Sequence, residues 1–311
     1  MRLIFCGTPE FAVPTLEKLL ASGFHVDLVV TNPDEPSGRG YEVKASPVKQ
    51  AALRAGLDVF QPAKLKEPAV VENFSRFQPD AIVVVAYGHI IPKWLIDLPR
   101  LGCINLHASL LPKYRGAAPI QWALIRGEAV TGVTTMRIDE GLDTGPTLLR
   151  SEVAIGETDT TETLGARLSS IGADLMVATL ERLGRGDLEG QPQHHAQATR
   201  APILKKQDGR INWALPARDI WSRVRGLRPW PGAFTSFRGK NVHIWSAARD
   251  RQTASNAVPA GALSAEKGRL FIGCGAATRL EALELQIEGR KRLAARDFIN
   301  GLKLQPGERF A

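Results

Sequence analysis

From Met1 to Leu183, short apolar runs alternate with stretches in which apolar residues recur every three or four positions. The short runs have the texture of strands and the wider spacing that of amphipathic helices. Arg2 to Cys6 reads as a first strand closed by Gly7-Thr8-Pro9, and Phe11 to Ala21 as a helix with Phe11, Leu16, Leu19 and Leu20 near one face. Strands follow at Val26–Thr31 and Leu57–Phe60, with helices at Pro47–Ala55 and Ala69–Phe77. Ala81 to Ala86 is apolar throughout, as in a strand buried on both faces of a parallel sheet. Cys103–Leu106 is another strand and Pro119–Arg126 a helix; Val133–Ile138 and Thr147–Val153 are later strands that an antiparallel pairing would suit, and Thr161–Leu183 is a long helix. This alternation predicts an α/β domain, Rossmann-like and doubly wound.

Past Leu183 the pattern stops. Gly184 to Pro202 is rich in Gly, Gln, His and Pro and reads as a linker. Beyond it the texture changes. Asp208 to Trp213 predicts a turn and then a strand, Ala217–Gly226 a helix, and Ala233–Arg238, Asn241–Ser246, Arg269–Cys274 and Ala282–Gln286 short strands. Short strands with glycine turns suggest a small β-barrel. The expected organisation is a catalytic domain over residues 1–188, a linker over 189–205 and a second domain over 206–311.

Composition narrows the class. A chain of 311 residues fits two domains at about 150 residues each, and 44% hydrophobic residues exclude a disordered chain. The longest apolar run, Ala81 to Tyr87, is far short of the ~20 residues that cross a bilayer. The three cysteines, Cys6, Cys103 and Cys274, are scattered, which argues against a disulfide framework or a CxxC zinc site. A cytoplasmic protein is expected. The formal charge is +8, and the excess is concentrated: Arg200, Lys205, Lys206, Arg210, Arg218, Arg223, Arg225, Arg228, Arg238, Lys240 and Arg249 face only Asp208, Asp219 and Asp250 between Arg200 and Asp250. Such a cluster, with Trp221 and Trp230 interleaved, suits a polyanionic partner.

The candidate chemistry lies elsewhere. The turn Gly7-Thr8-Pro9-Glu10-Phe11-Ala12 lacks the GxGxxG glycines, which disfavours a dinucleotide, and the chain has no GxxxxGK[ST] or HExxH. In Gly102-Cys103-Ile104-Asn105-Leu106-His107, period-two alternation puts Asn105 and His107 on one side of a strand or its exit, where open α/β sheets bind ligands. Two polar groups there need partners. Ile138-Asp139-Glu140-Gly141-Leu142-Asp143-Thr144-Gly145-Pro146 is a loop with three carboxylates, one of which could orient an imidazole. Asp139 and Asp143 could equally cap backbone amides, and Glu140 reads as solvated. The residues alone leave both readings open. The six histidines show no metal-ligand spacing, and the pair His194-His195 reads as solvated within the linker.

Asn105-Leu106-His107-Ala108-Ser109-Leu110-Leu111-Pro112-Lys113-Tyr114-Arg115-Gly116, followed by Asp139-Glu140-Gly141-Leu142-Asp143-Thr144-Gly145-Pro146, resembles the folate-dependent formyltransferases. The resemblance covers nearly the whole chain. It implies that Asn105, His107 and Asp143 are catalytic, with Asn105 and His107 donating to the formyl oxygen, His107 passing a proton to the leaving nitrogen and Asp143 orienting His107. Phe5 to Ala12 and the stretch from Asn32-Pro33-Asp34-Glu35-Pro36-Ser37-Gly38-Arg39-Gly40 to Ser46-Pro47-Val48-Lys49 are similar to the branch whose acceptor is initiator methionyl-tRNA. That branch implies an OB-fold-like second domain that binds tRNA, 10-formyltetrahydrofolate as co-substrate, no metal, and a monomer. The folate is expected along Gly88, Ile90, Ser109, Leu110, Leu111 and Pro112, and the tRNA at Arg39, Lys44, Lys205, Lys206, Arg210 and Arg223.

Overall fold

The computed structural model describes residues 1–37, 42–250 and 258–311, so Arg39 lies outside the described residues. The chain divides into two compact units, one of residues 1–119, 130–154 and 165–202, the other of residues 120–129, 155–164 and 203–311.

In chain order the first elements are β1 (Arg2–Gly7), α1 (Val13–Ala21), β2 (His25–Val30), β3 (Glu35–Ser37), β4 (Glu42–Lys44), α2 (Pro47–Arg54), β5 (Val59–Phe60), α3 (Pro68–Ser75), β6 (Ala81–Val85), α4 (Lys93–Ile96), β7 (Cys103–His107), α5 (Pro119–Ile125), β8 (Val130–Arg137), β9 (Thr147–Ala154) and α6 (Thr161–Arg185). The sheet of the first unit runs β5-β2-β1-β6-β7-β8-β9. Strands β5, β2, β1, β6 and β7 pair in parallel, and β8 and β9 are added through antiparallel pairings. All five residues of β6 are buried, as its unbroken apolar run requires. Ile4, Cys6, Ile82, Val84 and Cys103 share one core cluster with Phe74 and Leu95. Burial pushes the thiols of Cys6 and Cys103 up, the latter to about 12.

Phe11 lies not in α1 but in a 3-10 turn, Glu10–Ala12, and α1 starts after it with a proline in its first turn, where no backbone N–H is needed. The paired strands β3 and β4 and the four-residue helix α4 carry too few residues to show a period. The supposed linker is not a free tether. Gln191 exchanges two backbone hydrogen bonds with Thr147, Arg115 bridges to Arg200 in parallel, and the Ala118 amide donates to the Ala201 carbonyl. A Gly-, Gln- and His-rich stretch has no apolar period, yet its backbone groups still find partners on the loops beside them.

The second unit holds α7 (Ala217–Gly226), β10 (Ala233–Phe237), β11 (Lys240–Arg249), β12 (Leu263–Glu266), β13 (Arg269–Cys274), β14 (Thr278–Ile287), β15 (Leu293–Ala294) and α8 (Ala295–Leu302). Its antiparallel sheet has the order β10-β11-β14-β13-β12, with β15 beside β14. Asp208 to Trp213 does not form the expected turn and strand. Lys206–Gly209 is a 3-10 turn, and Arg210 makes only an isolated bridge to Phe234. Trp213 faces inward because its indole N–H donates to Thr235 Oγ1 at 3.0 Å and its ring stacks on Phe310 at 5.8 Å. Among the described residues no helix is long and apolar enough to cross a membrane.

Candidate active site

Strand β7 ends in Asn105-Leu106-His107, so the two polar side chains leave one face of the strand at its C-terminal end. Asn105 is half-buried between β6 and β8, opposite Val84 and Met136. Among the described residues its carboxamide has no hydrogen-bond partner. His107 is 6% exposed. Its Nε2 lies 2.9 Å from the carbonyl oxygen of Tyr114. A carbonyl only accepts, so Nε2 carries the hydrogen and Nδ1 is the nitrogen left for other work.

That nitrogen faces Asp143, whose Oδ1 is 3.7 Å away. This is an electrostatic contact rather than the orienting hydrogen bond expected of Asp143. The Tyr114 carbonyl does the orienting, from the other edge of the ring. Asp143 sits in the left-handed region, φ +52°, and its Oδ2 accepts from the Gly116 amide at 2.8 Å. Asp139 closes the same loop on itself, accepting from the Gly141 amide at 3.0 Å and from Thr144 Oγ1 at 2.7 Å. A Cβ at Gly145 would run into the Arg137 carbonyl, so the loop needs its glycine there. Glu140 is exposed, with Lys93 Nζ 3.6 Å away. The loop therefore divides its acids: one folds it, one is solvated, and one meets the histidine.

Residues 1–180 match the formyl transferase family, and residues 203–303 match the formyl transferase C-terminal domain. The chain belongs to the formyltransferase family. Similar curated relatives are the methionyl-tRNA formyltransferases of Koribacter versatilis, 56% identical over 97% of this chain and 96% of the relative, and of Acidobacterium capsulatum, 54% identical over 100% and 99%. Among solved structures, a sugar 3N-formyl transferase, WlaRD, described in the presence of dTDP and 5-N-formyl-THF, superposes with a TM-score of 0.70 at 16% identity over 94% of this chain and 99% of its own. HypX from Aquifex aeolicus in complex with tetrahydrofolic acid gives a TM-score of 0.65 at 17% identity; it covers 99% of this chain, which spans 48% of HypX. At those identities the likeness is one of fold.

For a formyltransferase, the remaining candidate residues fall into distinct environments. Gly88 (φ +86°) is exposed, and Ile90 is 89% exposed. Leu110 and Pro112 are half-buried. Leu111 is buried in the core, and the Ser109 hydroxyl is buried and donates to the Lys113 carbonyl at 2.6 Å, so it serves the turn that follows β7. Tyr87 is buried, its hydroxyl has no hydrogen-bond partner among the described residues, and burial drives its pKa upward. Lys44, Lys205, Lys206 and Arg210 are exposed.

The expected basic face is smaller than its arginine count. Arg223 donates to the Asp208 carbonyl at 2.7 Å, and Arg228 pairs with Glu162 at 3.0 Å. Arg225 is buried, stacks on Trp221 at 3.7 Å, and donates to the carbonyls of Gly156 and Asp159 at 2.8 and 3.2 Å. Desolvation pulls its pKa down to about 10, against the opposing pull of Asp159. Arg249 lies over the same indole at 4.4 Å and pairs with Glu157. His195 is exposed, and its Nδ1 lies 3.2 Å from Arg115 Nη1. Sequence reasoning missed Gln193, which is buried and contacts both Arg115 and the Asp143 loop. A single glutamine in a polar stretch carries no signal by which to find it.

Proposed function

We propose that this chain transfers the formyl group of 10-formyltetrahydrofolate to the α-amine of the methionine carried by initiator tRNA. Full-length likeness to methionyl-tRNA formyltransferases supports the acceptor. The observation that carries the chemistry is a half-buried carboxamide without a hydrogen-bond partner among the described residues, two residues from a histidine whose second nitrogen faces a carboxylate at 3.7 Å. An apolar core strand gains nothing from the carboxamide of Asn105 unless a ligand or water completes it.

The residues suit a folate. The exposed Ile90 and the Gly88 turn, with half-buried Leu110 and Pro112, are the apolar and backbone positions we assign to the co-substrate, in keeping with the mixture that small-molecule sites use. Leu111 would shape that wall from beneath, and Ser109 would hold the turn that presents it. When bound, the co-substrate supplies an electrophilic formyl carbon. Asn105 donates a hydrogen bond to the oxygen on which negative charge develops as the amine attacks, a preorganised contribution of the oxyanion-hole kind. His107 Nδ1 takes the proton that the attacking amine loses and hands it to the leaving N10 as the bond between N10 and the formyl carbon breaks, while Nε2 stays anchored on the Tyr114 carbonyl. Asp143 stabilises the positive charge that the ring carries while it holds this proton, its geometry held by the Gly116 amide.

The tRNA contacts are assigned to Lys44, Lys205, Lys206 and Arg210, whose exposed charges can replace counterions along a phosphate backbone. Arg39 belongs with them by sequence, and Arg223 contributes what its bond to Asp208 leaves free. We read the antiparallel sheet of the second unit as OB-fold-like, with the domain division at residues 1–188, 189–205 and 206–311. The protein acts as a cytoplasmic monomer without a metal. The test is to mix the purified chain with 10-formyltetrahydrofolate and methionyl-initiator tRNA, with an amino-sugar nucleotide in a parallel reaction. Formylmethionyl-tRNA as the product is expected. Formylation of the sugar amine alone would overturn the reading.

A further inference from the structure

Two loops carry the reacting constellation. Residues 112–118 supply the Tyr114 carbonyl that anchors His107 and the Gly116 amide that anchors Asp143. Residues 139–146 supply Asp143 itself. Neither loop lies within a strand or helix, and Tyr114 and Asp143 both sit at positive φ, which is uncommon for non-glycine residues. Something must hold the two loops in register.

The segment from Gln191 to Ala201 crosses both. At one end Gln191 pairs with Thr147 through bonds of 2.7 and 2.9 Å, just past the Asp143 loop. At the other end the Arg115 amide donates to the Thr199 carbonyl at 2.9 Å, the Ala201 amide donates to the Arg115 carbonyl at 2.7 Å, and the Tyr114 amide donates to Thr199 Oγ1 at 2.8 Å. Between them Gln193 is 8% exposed, and its amide is fully used. Nε2 donates to the carbonyls of Asp143 and Gly145 at 3.0 and 2.7 Å. Oε1 accepts from Arg115 Nε and Nη2 at 3.1 and 2.7 Å. One planar group thus joins the residue that follows Tyr114 to the backbone of Asp143.

We propose that Gln193, acting with Arg115, is a positioning residue that sets the His107–Asp143 separation by locking the two loops together; the inference rests on the formyl-transfer reading above. Its two N–H groups go to the carbonyls of Asp143 and Gly145, and its oxygen to the Arg115 guanidinium. Gln193 acts through Asp143 and touches no reacting group.

Three variants separate this role from mere support of the fold. Q193M keeps the volume and loses every hydrogen bond. Q193E still accepts from Arg115 but sets a carboxylate oxygen against two carbonyls. D143N removes the charge through which Gln193 acts. The readouts are single-turnover formylation of methionyl-tRNA, KM for both substrates, and melting temperature.

A misplacement of about 1 Å in a reacting group costs roughly 100-fold in rate, so Q193M is expected to lose about 10- to 100-fold in turnover with KM little changed. Q193E is expected to be at least as slow, because the donors to the Asp143 loop are what matter. In the D143N background Q193M should cost nothing more. Wild-type turnover in Q193E, or losses that multiply in the double variant, would overturn the inference while leaving the formyl-transfer reading intact. A wild-type chain that does not formylate methionyl-tRNA would overturn the reading and the inference together. Should Q193M fail to fold, Q193E and its cycle with D143N carry the same test.

Discussion

Asn105→Ala is expected to separate turnover from stability. The carboxamide has no protein partner among the described residues, so its removal orphans no buried group. The neighbouring strand positions, Val84 and Met136, keep their backbone pairings. A half-buried side chain without partners is worth little to folding, and the change should stay within about 0.5 kcal/mol. If Asn105 donates to a developing oxyanion, its loss costs about 2.7–4 kcal/mol of transition-state stabilisation, a drop of roughly 100- to 1,000-fold in kcat. His107→Ala is the useful contrast. It removes the His107 bond to the Tyr114 carbonyl along with a buried ring, so it should lose turnover and also about 1–3 kcal/mol of stability. The assay is steady-state formylation with both substrates varied, run beside urea denaturation of the same preparations. Wild-type kcat in Asn105→Ala, or a loss of turnover matched by a comparable loss of folding free energy, would refute the reasoning.

Three further outcomes follow from particular contacts. Arg225→Met removes the guanidinium that stacks on Trp221 and with it the donors to Gly156 and Asp159; urea midpoints should show a loss of about 1–3 kcal/mol with an unchanged m-value, and an unshifted midpoint would contradict the buried role. The pKa of Asp80 is held below the usual carboxylate range by the Arg2 amide first and by Arg100 second. Its stabilising share is therefore complete above about pH 4 and lost as pH falls through the depressed value. Melting curves from pH 6 downward should fall less steeply for Asp80→Asn, and parallel curves would exclude that linkage. Replacing Lys205 and Lys206 together by Ala should flatten log K for tRNA against log salt by about 0.7–1.8, measured by filter binding; an unchanged slope would remove both from the phosphate contacts.

The hydrophobic pattern was enough to place the parallel strands, because a strand buried on both faces must be apolar throughout and β6 is. Period-two alternation was likewise enough to put Asn105 and His107 side by side, since successive strand residues face opposite ways whatever the rest of the fold does. Asp143 entered through a motif, but its task did not. That the Tyr114 carbonyl orients His107, leaving Asp143 to face the free nitrogen, depends on where a loop folds back. Gln193 reaches Arg115 across 78 positions of sequence, and nothing local in a Gly-, Gln- and His-rich stretch marks it. Arg225 was misread as part of a basic surface because charge is counted without regard to partners, whereas burial of a guanidinium is decided by carbonyls that only the folded chain brings to it. Local periodicity is a property of the covalent chain and survives in the sequence. Hydrogen-bond partners distant in sequence become neighbours only after packing.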